Sequence, residues 1–411
     1  QALRANENLA NRGVQLFGAG FIVTPDEAAR LEADAPIKPY RNGRDLTERP
    51  RGVGVIDLYG HDADEVRRRW PATYQWVLER VKPERDHNNR ATYRDNWWIF
   101  GEPRKVMRAT LAGLPRYIAT VETAKHRVFQ FLDSTIAPDN KLVCIALEDA
   151  YNLGVLSSHV HVVWTLASGS TLEDRPVYVK TTCFETFPFP AATPEQQARI
   201  RDLAEQIDTH RKRVQAEHAE LTLTGLYNVL VKIGAGHTAL NSREKLIHEK
   251  GLVAVLKSLH DELDAAVLDA YGWHDLIGQA AIDATLLERL VLLNTARRTE
   301  EAQGHIRWLR PEFQNPGTQA TLLAASSPNA VTPATATEAR PTPALATPWP
   351  AALPEQLAAV AKLLTDTPNP QSQPQIAARF TGKGKSRLPV ILAALAALGR
   401  ARCLDDGRWM G

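Results

Sequence analysis

At 411 residues the chain can hold two or three domains with cores of their own. Its 49 Lys and Arg against 47 Asp and Glu leave a net charge of +2, which excludes a global cationic field and assigns any anion binding to local clusters. Cys144, Cys183 and Cys403 lie far apart, without CxxC or Cys/His zinc spacing, which excludes a disulfide framework and a structural zinc of that kind.

No apolar run reaches the roughly 18–20 residues of a membrane span and no secretory signal opens the chain, so the expected compartment is the cytoplasm. The chain begins at Gln1 rather than Met, and Met107 and Met410 are its methionines. It therefore reads as a piece of a longer polypeptide.

In chain order, QLFGAGFIV (Gln15–Val23) predicts a glycine-interrupted strand, and Thr24-Pro25-Asp26-Glu27 a capped helix start. Val53–Tyr59 predicts a second strand. Asp62–Lys82 predicts a helix with Trp70, Tyr74 and Val77 on one face. Arg116–Phe131 reads as strand, turn and strand, and Lys141–Leu147 as a buried strand. Leu153–Ala167 reads as helical and Tyr178–Phe187 as a further strand, stopped by Pro188-Phe189-Pro190.

Thr193-Pro194-Glu195-Gln196 then caps a long amphipathic helix with apolar positions Ile200, Leu203, Ile207, Val214 and Leu221. More helices are expected through Trp308. Residues 318–348 are rich in Ala, Thr and Pro and predict a flexible linker. Beyond it, Leu353–Leu364, Gln375–Phe380 and Ser386–Leu398 read as helices and Arg400–Trp409 as a hairpin, the pattern of a winged helix-turn-helix. The expected fold class is α+β: a mixed α/β domain over 1–190, a helical spacer over 191–317, the linker over 318–348 and a winged-helix domain over 349–411.

Much catalytic chemistry is missing from the pattern. An amino-methyltransferase needs an Asn/Asp/Ser-Pro-Pro-aromatic motif to hold its target amine, and Asn315-Pro316 and Asn369-Pro370 continue as Gly and Gln. Phe17-Gly18-Ala19-Gly20 is a lone GxG without an acidic cofactor partner and reads as a tight turn or close backbone approach. P-loop, GxSxG and HExxH motifs do not occur. His159 and His161 are two apart, point in different directions on a helix and have no evident third ligand, so no metal site and no catalytic residue is assigned.

What remains is a set of basic-aromatic clusters. Residues 38–52, KPYRNGRDLTERPRG, carry Lys38, Tyr40, Arg41, Asn42 and Arg44, with Arg49 and Arg51. Trp97-Trp98-Ile99-Phe100 leads to Arg104, Lys105 and Arg108, followed by Arg116-Tyr117 and Lys125-His126-Arg127. Arg and Lys neutralise phosphates, Arg reads guanine edges, and Asn hydrogen-bonds bases or sugars, so these are candidate DNA contacts. In the carboxy-terminal module Arg379, Lys383, Lys385 and Arg387 flank the candidate recognition helix. For any single residue the competing reading is a solvated surface over an aromatic core.

The block Tyr40, Asn42, Gly43, Asp45, Leu46 resembles the Y-x-N-G-x-D-L block that opens the target-recognition domain of MmeI-like DNA methyltransferases, the type IIL restriction-modification enzymes and their defence-system relatives. Arg116–Thr120 with Lys125–Phe129, Asp149 to Leu156, and Thr181–Pro190 are similar to further blocks of that family in the same order. Ile306–Gln314 and Leu395–Arg402 also resemble it, and the Phe187–Ile200 junction is similar to the passage from recognition domain to spacer helix in type I specificity subunits.

The resemblance implies the recognition half of an adenine-N6 DNA methyltransferase of a restriction-modification or phage-defence system. Its partners would be double-stranded DNA and a methyltransferase catalytic domain or subunit that holds S-adenosylmethionine. The family's catalytic motifs match no positions here, so none is carried over, and this chain alone is expected to be inactive. The alternative is a stand-alone, non-catalytic DNA-binding protein or specificity subunit that reads DNA with its winged helix.

Overall fold

The computed structural model describes residues 1–173, 175–236, 239–316, 347–350, 353–366, 371–381, 388–397, 401–403 and 408–410. The fold is mixed α+β, and the chain divides into two compact units, 1–327 and 328–411.

In the first unit, β1 (Ala10–Arg12), β2 (Ile22–Val23), β3 (Ile37–Arg41), β4 (Gly54–Ile56), β5 (Arg116–Val121), β6 (Phe129–Asp133), β7 (Ala137–Pro138) and β8 (Leu142–Ile145) make two four-stranded sheets. One has the order β1-β8-β5-β6 and is antiparallel, with Ile118 opposite Ile145 and Phe131. The other has the order β2-β4-β3-β7, with β7 parallel to β3. A separate exposed ribbon pairs β9 (Ser170–Leu172) with β10 (Arg175–Val177).

Short helices lie between the strands: α1 (Pro25–Ala28), α2 (Gly43–Thr47), α3 (Ala63–Arg69), α4 (Pro71–Arg80), α5 (Lys82–Asp86), α6 (Ala91–Asp95) and α7 (Lys105–Leu111). After β8 come α8 (Ala150–Ser157) and α9 (His159–Ser168). The helical part comprises α10 (Pro194–Glu217), α11 (Leu223–Gly234), α12 (Ser242–Lys250), α13 (Val253–Ala270), α14 (Asp283–Ala302) and α15 (Pro311–Gln314).

Local sequence explains most of these boundaries. Thr24 and Thr193 close capping boxes at α1 and α10, each followed by proline in the first turn. The helix expected over Asp62–Lys82 breaks at Trp70, because Pro71 lacks an N–H and disfavours helical backbone in the residue before it. The strand expected over Gln15–Val23 shrinks to β2. Gly20 is pressed against α4 so closely that a Cβ would lie 2.6 to 2.8 Å from Arg80 atoms, and a turn at Ala19–Phe21 results. The strand expected over Tyr178–Phe187 is instead a wide π-helical turn at Lys180–Phe184. That turn buries Cys183 and Phe184, and Asn6 Nδ2 donates to the Phe184 and Phe187 carbonyls at 2.8 and 2.7 Å.

One apolar core runs without interruption from the β1-β8-β5-β6 sheet through α8 and α9 into α10, α11, α13 and α14. Helix α10 is its axle, burying Ile200, Leu203, Ile207 and Val214. Gly154 lets α8 lie directly on it, since a Cβ there would sit 2.6 Å from Ile200 Cγ2. A second core lies under the β2-β4-β3-β7 sheet, around Phe21, Val55, Trp70 and Phe100.

The second unit has helices Leu353–Asp366, Gln373–Ala378 and Leu388–Ala397, with Arg402–Cys403 pairing antiparallel to Trp409–Met410. Val360, Ile376, Phe380, Leu388 and Leu392 form its own core. Thr347–Pro348 pairs in parallel with Phe380–Thr381. The predicted linker lies, apart from its last two residues, outside the described residues, as do Lys383, Lys385 and Arg387. Among the described residues no helix is long and apolar enough to cross a membrane.

His161 is fully buried on α9, 4.3 Å from the Phe187 ring, with Nε2 3.1 Å from the Tyr178 hydroxyl and Nδ1 unpartnered among the described residues. Burial, with Arg127 nearby, pushes its pKa down to about 3. The unfolded chain takes up that proton near the ordinary value of about 6.5. Stability from the neutral ring is therefore complete above pH 6.5 and falls as pH drops towards about 3. The His161→Phe variant should lose less of its thermal midpoint between about pH 7 and pH 5 than the parent, measured by circular dichroism.

Candidate functional site

Most of the block at residues 38–52 is engaged in its own folding. Tyr40 is buried and its hydroxyl donates to Asp139 Oδ2 at 2.6 Å, which together with burial raises its pKa. Asn42 caps α2, accepting from the Asp45 amide at 3.1 Å while its own amide donates to Asp45 Oδ2 at 2.8 Å. Asp45 also receives Arg51 Nε and Nη2, both at 2.9 Å. Burial raises the Asp45 carboxyl, but the Arg51 bonds and the Asn42 and Arg51 amides outweigh it and hold the group below the ordinary carboxylate range. Lys38 pairs with buried Asp57 at 2.8 Å, and Asp57 also takes both Arg108 Nη atoms at 2.7 and 2.9 Å.

The outward cations of the block are Arg41, Arg44 and Arg49. Arg44 is exposed and has Glu48 3.8 Å away. Arg41 Nη1 donates to the Tyr40 carbonyl at 3.1 Å. Arg49 is exposed, with no hydrogen-bond or ion-pair partner among the described residues.

The later clusters divide in the same way. Trp97 and Phe100 are buried in the second core. Arg104 takes a left-handed backbone (φ 59°) and donates to the Gly13 carbonyl at 3.2 Å, while Lys105 beside it is exposed. Arg116 forks onto Glu205 of α10 at 2.5 and 3.2 Å and lies 3.7 Å from the Phe131 ring centre. Lys125 and His126 Nε2 both reach Asn228 Oδ1 at 2.8 Å, and burial lowers the His126 pKa. Lys125 is otherwise exposed.

Arg127 points inward. It donates to Thr120 Oγ1 at 3.1 Å, to the Val121 carbonyl, and to the Pro176 carbonyl at 3.2 Å, so it fastens the β9–β10 ribbon to β5. Burial lowers its pKa to about 10. In the second unit Arg379 is exposed at the end of the Gln373–Ala378 helix.

A cleft of about 460 Å³ opens between the α2 segment and α10. Arg41 and Arg49 line one side, Lys212 and Gln215 of α10 the other, with Gln130 between them. Lys212 and Gln215 stood in the sequence only as polar positions of an amphipathic helix, and no local signal joins them to Arg41 across about 170 residues. Elsewhere, Gly18 and Gly20 are packed on Val81 and Arg80 in the Phe17–Gly20 turn.

Residues 22–191 match the family profile of the MmeI target recognition domain. Among solved structures the chain is similar to "Structure of Type IIL restriction-modification enzyme MmeI in complex with DNA has implications for engineering of new specificities". The TM-score is 0.55 at 17% identity, over 73% of this chain and 37% of that one. At that identity the likeness is one of fold, and this chain spans little more than a third of the enzyme it resembles. No curated protein matches.

Arg127→Lys keeps the charge but removes the fork that serves several carbonyls. An unsatisfied buried acceptor costs about 1–3 kcal/mol. A loss of that size is expected in urea unfolding, whereas Arg44→Lys should leave the midpoint unchanged.

Proposed function

We propose, from the match of residues 22–191 to the MmeI target recognition domain, that the chain recognises a specific sequence in duplex DNA as part of an adenine-N6 methyltransferase of a restriction-modification or phage-defence system. The observation that carries this reading is the family match of the recognition region, joined by one continuous core to a helical brace. Half-buried Arg41 and exposed Arg44, Lys105 and Lys125 contact phosphates and set register, while side chains of the same domain read base edges. Residues 191–317 brace the reader, and 349–411 form an accessory winged helix.

The methyltransferase core, another part of the polypeptide or a partner subunit, holds S-adenosylmethionine and supplies the methyl group to an extruded adenine. No step of that transfer is assigned to residues of this chain. A second reading makes the carboxy-terminal unit the main reader; its independent core and exposed Arg379 favour it.

Selection of duplexes by the purified chain from a randomised pool should enrich one short motif, and co-expression with the methyltransferase core should place N6-methyladenine within it. Binding without enrichment of any motif would sink the proposal. Deleting residues 318–411 should preserve the motif; its loss would transfer the reading role to the second unit.

A further inference from the structure

The geometry points to the cleft between α2 and α10 as a clamp for a phosphodiester of the DNA backbone, a site that rests on the duplex-binding reading above. A cleft of about 460 Å³ is roomy enough for one phosphate with its sugar but far too small for a double helix, so it takes a single strand segment at the groove edge.

The charges around it favour an anion of that kind. Asp45, which lines the cleft, is compensated by the Arg51 fork and two main-chain amides. Asp133 keeps its negative charge, held by the Thr135 amide and hydroxyl at 2.9 and 2.6 Å, and Glu48 has Arg44 at 3.8 Å. Arg41 and Arg49 have no carboxylate partner among the described residues. A guanidinium presents five donors, and a phosphodiester offers two unesterified oxygens to receive them.

The opposite wall is set rigidly. Lys212 Nζ is fixed by the Phe131 carbonyl at 2.9 Å and Asp208 at 2.5 Å. Gln215 Nε2 donates to the Glu48 carbonyl at 3.0 Å and ties α10 to the end of α2. The strand would therefore meet two available guanidinium groups on a fixed frame, with a lysine across from them. That arrangement also makes the helical part a contributor to DNA contact rather than a brace alone.

The test uses the full chain and a short mixed-sequence duplex, with affinity measured by anisotropy between about 50 and 200 mM salt. The Arg41→Ala/Arg49→Ala double variant should bind about 10- to 100-fold more weakly at the low-salt end. It should also flatten the log K against log salt slope by about 1 to 2, near 0.9 for each lost phosphate contact. Arg49→Lys should keep most of the slope. Arg67→Ala, an exposed cation outside the cleft, should change neither quantity by more than about twofold.

Unfolding midpoints equal to the parent's are expected, since neither arginine holds the fold. A double variant with the parent's affinity and slope overturns the clamp while leaving duplex recognition standing. A parent chain that binds no duplex overturns the recognition reading, and the clamp with it.

Discussion

A single buried cation, Arg211, joins the sheet part of the first unit to its helices. The residue is 2% exposed; its Nη2 donates to the Phe129 carbonyl of β6 at 2.7 Å and to Asp208 at 3.2 Å. Its Nη1 donates to the Tyr227 hydroxyl of α11 at 3.0 Å, and Tyr227 in turn meets His260 of α13 at 2.8 Å. A charge taken out of water at this depth is tolerated only where hydrogen bonds replace its solvation. The strand, α10, α11 and α13 must therefore keep their mutual positions. Lys212, the next residue, reaches the same strand at the Phe131 carbonyl, so the axle helix stays in register with the sheet above the cleft.

Arg85 and Arg127 use the same physics. Arg85 is buried and donates to the Phe17, Leu16 and Ile99 carbonyls at 2.6, 2.7 and 3.0 Å. Each gathers backbone carbonyls from separate segments, Arg85 from Leu16–Phe17 and Ile99 and Arg127 from β5 and β10, which the flat, five-donor guanidinium can reach together. A fold with many short strands and loops brings carbonyls of different segments close together. Its arginines divide into a set that completes the backbone and a set that faces outward, Arg44 and Arg49 among them.

That division separates what was legible in the sequence from what was not. Capping boxes at Thr24 and Thr193 and the apolar spacing of α10 are properties of neighbouring residues, and the structure follows them; the Asn42 cap and the break before Pro71 are equally local, yet the sequence reading took Asn42 for a DNA contact and Asp62–Lys82 for one helix. The strands at 116–121, 129–133 and 142–145 likewise follow local apolar patterns. The other failures fall where distant groups decide. Gly20 bends because Arg80 lies on it, and Phe184 turns inward because Asn6, almost the whole domain away in sequence, donates to its carbonyl.

Most element types, the mixed α+β class and the match of residues 22–191 to the MmeI target recognition domain are set by the sequence alone, because they rest on local propensity and on ordered blocks of residue types. Which basic residues face outward was decided only in three dimensions. Arg127 and Arg41 look equivalent in a basic-aromatic stretch, yet one is taken up by the carbonyls around Val121 and Pro176 and the other opens onto the cleft opposite Lys212. A side chain's charge is written in its chemistry; whether it is already compensated depends on which backbone the fold brings within about 3 Å of it.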